Sequence, residues 1–124
     1  MPVHNSILVV DNEQLVREAL IDILDTIGVH VISANSGREG IDTYQDYHNS
    51  IDLVILDMRL PGMDGPEILK ALRAINPEVK VIVSSGYDEE EIERRFHDQS
   101  PTFILKKPYD AEKLLRVVQR VLAN

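Results

Sequence analysis

A chain of 124 residues is long enough for one domain to bury a sizeable core, and its 13 Lys and Arg against 21 Asp and Glu leave a net charge of −8. That balance argues against nucleic acid or an anionic membrane as a partner of this domain, and the absence of cysteine excludes disulfides and thiolate metal sites. No apolar run reaches the ~18 residues of a membrane span, and Met1-Pro2-Val3-His4-Asn5 lacks the charged and apolar regions of a signal peptide, so a cytoplasmic domain over residues 1–124 is expected.

Ile7 to Val10 reads as a buried strand running into Asp11-Asn12-Glu13. Leu15, Val16, Ala19, Leu20, Ile23, Leu24 and Ile27 then recur at three-and-four spacing, one apolar helical face, and Gly28 suits its C-terminal end. Val29 to Ala34 predicts a more exposed strand at a sheet edge. Ser36 caps the next helix, with Glu39 at capping-box spacing and Ile41 and Tyr44 facing inward. Leu53 to Leu56 is a continuous apolar run of the kind buried on both faces of a parallel sheet. It places Asp57 at the carboxyl end of a central strand, where open α/β sheets keep their ligand sites.

Pro61-Gly62 and Asp64-Gly65 break the chain, and Ile68, Leu69, Leu72 and Ile75 mark a third helix, stopped by Asn76-Pro77. Lys80 to Ser84 is a fourth strand, leading into Ser85-Gly86-Tyr87. Asp88 to Asp98 is a weaker helix, acidic at its start and held by Ile92 and Phe96. Phe103 to Lys106 is a fifth strand, followed by Lys107-Pro108-Tyr109, and a last helix from about Asp110 to Leu122 buries Leu114, Val117, Val118 and Val121. Strands alternating with helices imply a parallel sheet with right-handed crossovers.

Four strand ends therefore carry chemistry: Asp11-Asn12-Glu13, Asp57, Ser85 and Lys107. Neighbouring residues read more plainly. Asp64 is a structural turn or cap, Lys106 points outward, and Ser84 is a strand residue beside the preferred Ser85, which Gly86 follows. Glu13 is balanced between an acid supporting the site and a helix start. Asp88-Glu89-Glu90-Glu91 is a solvated helix N-terminus favoured by the macrodipole, and His4, His30, His48 and His97 have no ligand spacing.

These four motifs, in this order and over essentially the whole chain, resemble the receiver domains of two-component response regulators. Lys107-Pro108-Tyr109 with Leu114-Leu115 is also similar to receivers at the C-terminus of hybrid histidine kinases. The resemblance implies a flavodoxin-like sheet of order 2-1-3-4-5 with five helices. It implies that Asp57 accepts a phosphoryl group from a phosphohistidine on a histidine kinase or phosphotransfer domain and then controls a partner or output domain. Such a protein is a phosphoacceptor with self-catalysed transfer and slow autodephosphorylation rather than an enzyme with a separate substrate.

The chemistry implied is coherent. An aspartate attacking phosphorus must approach negative oxygens, so charge has to be neutralised. Mg2+ does this with hard oxygen ligands. Asp11, Asn12, Asp57 and the backbone carbonyl of Met58 or Arg59 can supply them, the family pattern favouring Arg59. Lys107 offers a mobile positive charge to the phosphoryl oxygens and Ser85 a hydroxyl donor. By family position Arg59 and Tyr87 flank the site and tune loss of the group.

Two positions depart from the family pattern. Asn12 stands where a second acid is usual, so the site has one formal negative charge fewer. Ile104 stands where a switch aromatic is usual, with Phe103 one residue earlier and hence on the opposite strand face, which leaves loop movement as the main coupling. Rival readings fit less well. A haloacid-dehalogenase-like phosphatase needs an Asp where Arg59 stands, and no Gly-rich nucleotide loop occurs. The alternative is a pseudo-receiver, an interaction module that is never phosphorylated.

Overall fold

The computed structural model describes residues 5–123; His4 and most of the N-terminal stretch read for a signal peptide lie outside the described residues. Five strands, β1 (Ser6–Val10), β2 (His30–Ala34), β3 (Leu53–Asp57), β4 (Val81–Ser85) and β5 (Phe103–Lys106), alternate with five helices. These are α1 (Gln14–Asp25), α2 (Gly37–Tyr47), α3 (Gly65–Ile75), α4 (Glu89–Arg95) and α5 (Ala111–Ala123). The strands form one sheet of order β2-β1-β3-β4-β5, every pair parallel, as expected. β2 is an edge strand, and its central residues are only partly buried.

The strand period of two divides the interior into two layers. Leu8, Val10, Val54, Leu56, Val81 and Val83 face α2, α3 and α4, where Tyr44, Ile68, Leu69, Leu72, Ile92 and Phe96 meet them. Ile7, Val9, Leu53, Ile55 and Ile82 face the other way, onto Leu20, Leu24, Leu114, Val117, Val118 and Val121 of α1 and α5. β3 and β4 are buried at every residue, the pattern of central parallel strands. Phe103 packs in the α1–α5 layer and Ile104 in the α4 layer, so the two lie on opposite faces as the one-residue shift requires.

Helix ends follow local chemistry. The Ser36, Asp64 and Asp88 side chains each accept from the backbone N–H three residues on, at 3.1, 3.1 and 2.9 Å, each satisfying a donor the helix leaves unpaired. Asp110 does the same for Lys113 at 2.8 Å. Glu39 reaches back to the N–H of Asn35 rather than of Ser36, so the capping box is displaced by one residue. Gly28, at φ +75°, turns the chain out of α1 in the left-handed region that glycine enters without strain.

Two expectations are corrected. Leu15 is 80% exposed and Ala19 is also exposed, so the inward face of α1 is narrower than its apolar spacing suggests. Within α1 only Leu20 and Leu24 reach full burial. α4 covers seven residues rather than Asp88 to Asp98: Phe96 leaves the helical region at the C-cap and the segment after it forms turns.

Candidate functional site

Asp11 and Asp57 continue the alternating rows Ile7–Val9 and Leu53–Ile55, so both carboxylates stand on the α1–α5 side of the sheet at its carboxyl edge. The Asp11 N–H still donates to Ala34 (3.1 Å), extending the ladder one residue past β1. Both acids are nearly enclosed, at 3% and 6% exposure, and Ser85 at 2%. A cleft of about 500 Å³ opens above them, lined by Asn12, Glu13, Asp57, Arg59, Ser85 and Lys107 among others. The four strand-end motifs thus converge.

Asp57 receives two contacts on one oxygen. Lys107 Nζ lies 3.3 Å from Oδ1, and the Arg59 backbone N–H donates to the same atom at 3.2 Å. Oδ2 accepts no hydrogen bond among the described residues, and Asp57 lines the cleft. Lys107 is held by its own N–H, which donates to the Ser85 carbonyl at 2.7 Å, and a cis peptide joins it to Pro108. The Lys107 side chain is 36% exposed while that of its partner Asp57 is nearly buried, as suits a charge that can move to a newcomer.

Asp11 is the less settled acid. Burial pushes its carboxyl above the usual carboxylate range; the Glu13 N–H, donating at 2.9 Å, pulls it down, the Asp57 charge pushes it up again, and Lys107 offsets part of that. Burial, with Asp11 and Asp57, also raises the Tyr109 hydroxyl. Two enclosed carboxylates share one ammonium.

That arrangement fits a divalent cation with hard oxygen ligands. Among the described residues no cluster of three or more His, Cys, Asp or Glu could hold a metal, and Asn12 rather than a further acid follows Asp11. Magnesium commonly binds through one or two carboxylates and keeps several waters, so Asp11 and Asp57 meet its demands where they would not satisfy zinc. Asn12 is exposed on the cleft wall with a neutral carbonyl oxygen to offer.

The remaining predicted residues fall around the rim. Ser85 Oγ accepts the Tyr87 N–H at 2.9 Å, leaving its hydroxyl proton free to donate. Ser84 is buried within β4 opposite Asp57, a strand residue as read. Lys106 is exposed, with Nζ 3.2 Å from the Tyr87 carbonyl. Glu13 is the N-cap of α1 without a side-chain cap bond, a helix start, and it also lines the cleft. Ile104 and Phe103 lie away from the acids, in opposite layers.

Two residues escaped the sequence reading. Arg17 donates to the Asp11 carbonyl at 2.7 Å, tying α1 to the end of β1. Arg95 lies over the Tyr87 ring, 4.5 Å from its centroid, with Arg59 at 5.8 Å. Arg17 sits one turn into a helix that begins beside Asp11, a signal that could have found it. Nothing in the spacing of Arg95 pointed to Tyr87.

The family model for the response regulator receiver domain matches residues 7–119. The chain is 32% identical over 94% of its length to the sensor kinase CckA of Brucella abortus, but spans only 12% of that protein. It is 29% identical to sporulation initiation phosphotransferase F of Bacillus subtilis, over 96% of this chain and 94% of that one. Among solved structures, a chain of the CheX–CheY–BeF3–Mg2+ complex from Borrelia burgdorferi superposes with a TM-score of 0.87 at 27% identity, covering 94% of this chain and 88% of that one. Phosphorylation and Mg2+ binding are general properties of the matched family. With the strand order, the site at the carboxyl edge and a match over residues 7–119 in agreement, this chain belongs to the response regulator receiver domains.

Proposed function

We propose that Asp57 is the phosphoacceptor of this receiver, served by Lys107, Ser85 and a Mg2+ ion held by Asp11, Asp57, the Arg59 backbone carbonyl and, through its side-chain oxygen, Asn12. The observation that carries this reading is the asymmetry of Asp57 beside the cleft it lines: Oδ1 is occupied by Lys107 and the Arg59 N–H, whereas Oδ2 has no hydrogen-bond partner among the described residues. Oδ2 is the atom that attacks. A bond forms between it and phosphorus as the bond from phosphorus to an imidazole nitrogen of the donor breaks, and the electron pair leaves with the imidazole. Bound Mg2+ neutralises charge on the phosphoryl oxygens. Lys107 follows the phosphoryl oxygens with its ammonium, and Ser85 donates its free hydroxyl proton to one of them.

The donor is a histidine kinase or a histidine phosphotransfer domain, and the receiver acts on a partner or output domain as a single unit over residues 1–124 in the cytoplasm. The net charge of −8 argues against nucleic acid as a direct partner of this domain, and among the described residues no helix is long and apolar enough to cross a membrane. Incubation with acetyl phosphate and Mg2+ is expected to add one phosphoryl group by intact mass, released by hydroxylamine as an acyl phosphate must be. Asp57→Asn is expected to abolish the adduct. A label that survives this substitution moves the acceptor elsewhere, and no label on the wild type leaves an interaction module that is not phosphorylated.

A further inference from the structure

The loop that carries Ser85 is fastened at its next aromatic. The Tyr87 N–H donates to Ser85 Oγ (2.9 Å) and its carbonyl accepts from Lys106 Nζ (3.2 Å), so its backbone is bound to both strands of the β4–β5 pair. Its ring is partly buried against the α4-side core, with Arg95 at 4.5 Å from the centroid. Arg95 is itself fixed: its Nε lies 2.9 Å from Glu91 Oε2, and Arg94 holds the other oxygen at 2.6 Å. The Glu91 N–H is in turn capped by Asp88 at 2.9 Å. An unbroken series of contacts therefore runs from α4 through Arg95 and the Tyr87 ring to the hydroxyl of Ser85.

We infer that Arg95 is a positioning residue for the phosphoryl site: by clamping the Tyr87 ring it keeps the Tyr87 N–H on Ser85 Oγ, which turns the Ser85 hydroxyl proton toward the cleft. The argument is one of hydrogen-bond direction. A serine hydroxyl rotates freely unless its lone pairs are engaged. Here one is engaged by an N–H whose own position depends on where the Tyr87 ring rests. A cation over a tyrosine face at a partly exposed site, such as Arg95 with its side chain 40% exposed, favours that ring position by a modest amount, about two- to fivefold in an equilibrium. The inference rests on Ser85 contacting the phosphoryl group as proposed above, and it adds α4 to the residues that govern the site.

The test is a double-mutant cycle read by affinity for beryllofluoride with Mg2+, a mimic of the phosphoryl group. Arg95→Ala is expected to weaken the mimic two- to fivefold, and Arg95→Lys, which keeps a cation over the ring, to recover most of that loss. In a Ser85→Ala background, where no hydroxyl remains to be aimed, Arg95→Ala is expected to have no further effect. An Arg95→Ala variant that binds as the wild type does, or that loses the same factor with and without Ser85, overturns the inference. If the wild type itself does not bind the mimic, it is the phosphoacceptor reading that fails. Tyr87→Leu serves as a second entry to the cycle, since Arg95→Ala should be silent once the ring is gone.

Discussion

Ionised Asp11 is enclosed at 3% exposure beside Asp57, and the neighbouring N–H of Glu13 and the ammonium of Lys107 do not outweigh burial. Its folded-state pKa is therefore above the unfolded value, near 3.8. The folded protein prefers Asp11 neutral, so its favourable contribution is fully present below the unfolded pKa and is lost as pH rises through the raised folded value. At neutral pH the charge is a cost. Asp11→Asn removes it while keeping an oxygen to accept the Glu13 N–H. This variant is expected to melt higher than the wild type at pH 7 without metal, by a few degrees if removing the charge is worth as much as a typical single stabilising substitution. The gain should shrink as pH falls into the ordinary carboxylate range, where wild-type Asp11 is neutral too. Mg2+ should raise the wild-type melting temperature by binding linkage and raise that of the variant much less. Thermal melts over a pH series, with and without Mg2+, check both signs; a variant no more stable than the wild type at neutral pH would mean that desolvation does not govern Asp11.

Elements place these residues through close contacts that periodicity does not reveal. Gly40 in α2 looks like an ordinary helix interruption in sequence, yet a Cβ there would lie 2.8 Å from Val10 Cγ2 and 3.1 Å from Cγ1. Val10 is buried and β-branched, with little freedom to turn away. It is also the residue before Asp11. Gly40→Ala gains at most ~1 kcal/mol in helix propensity, whereas overpacking a close-fitted core costs about 1–3 kcal/mol. The variant is expected to lose about 1–2 kcal/mol in chemical denaturation and to bind Mg2+ more weakly, because relief of the clash displaces the end of β1. A variant as stable as the wild type, with Mg2+ affinity intact, would show that α2 shifts without cost. The same distinction explains what was legible. Buried apolar runs and cap residues marked all five strands and three helix starts, since both depend on neighbours in sequence. The exposure of Leu15 and the early end of α4 depend on which tertiary neighbours cover each residue, which spacing along one segment does not encode.

Across the whole molecule the site joins the two layers. Asp11 and Asp57 stand on the α1–α5 side, whereas Tyr87 and Arg95 belong to the α4 side. The convergence of Asp11, Asp57, Ser85 and Lys107 could be read ahead because a parallel sheet brings every strand's carboxyl end to one edge. The tie from Tyr87 to Arg95 could not, because it depends on where a seven-residue helix docks. α4 anchors through Ile92 alone within its length and Phe96 just beyond it, so its local opening free energy should be low. On the proposed function, a phosphoryl group on Asp57 would present oxygens that Ser85 and Lys107 could bond only in that state, and such differential contacts are what shift a conformational equilibrium. With Ile104 rather than an aromatic packed beneath α4, the β4–α4 loop is left to transmit the change. Beryllofluoride with Mg2+ is therefore expected to alter amide exchange across Gly86 to Asp98, with the interior of β1 and β3 unchanged because both are buried at the core of the sheet. Altered protection confined to the residues lining the cleft would make Asp57 an acceptor without a switch, and altered protection in α1 instead of α4 would route the response through Arg17, whose guanidinium holds the Asp11 carbonyl.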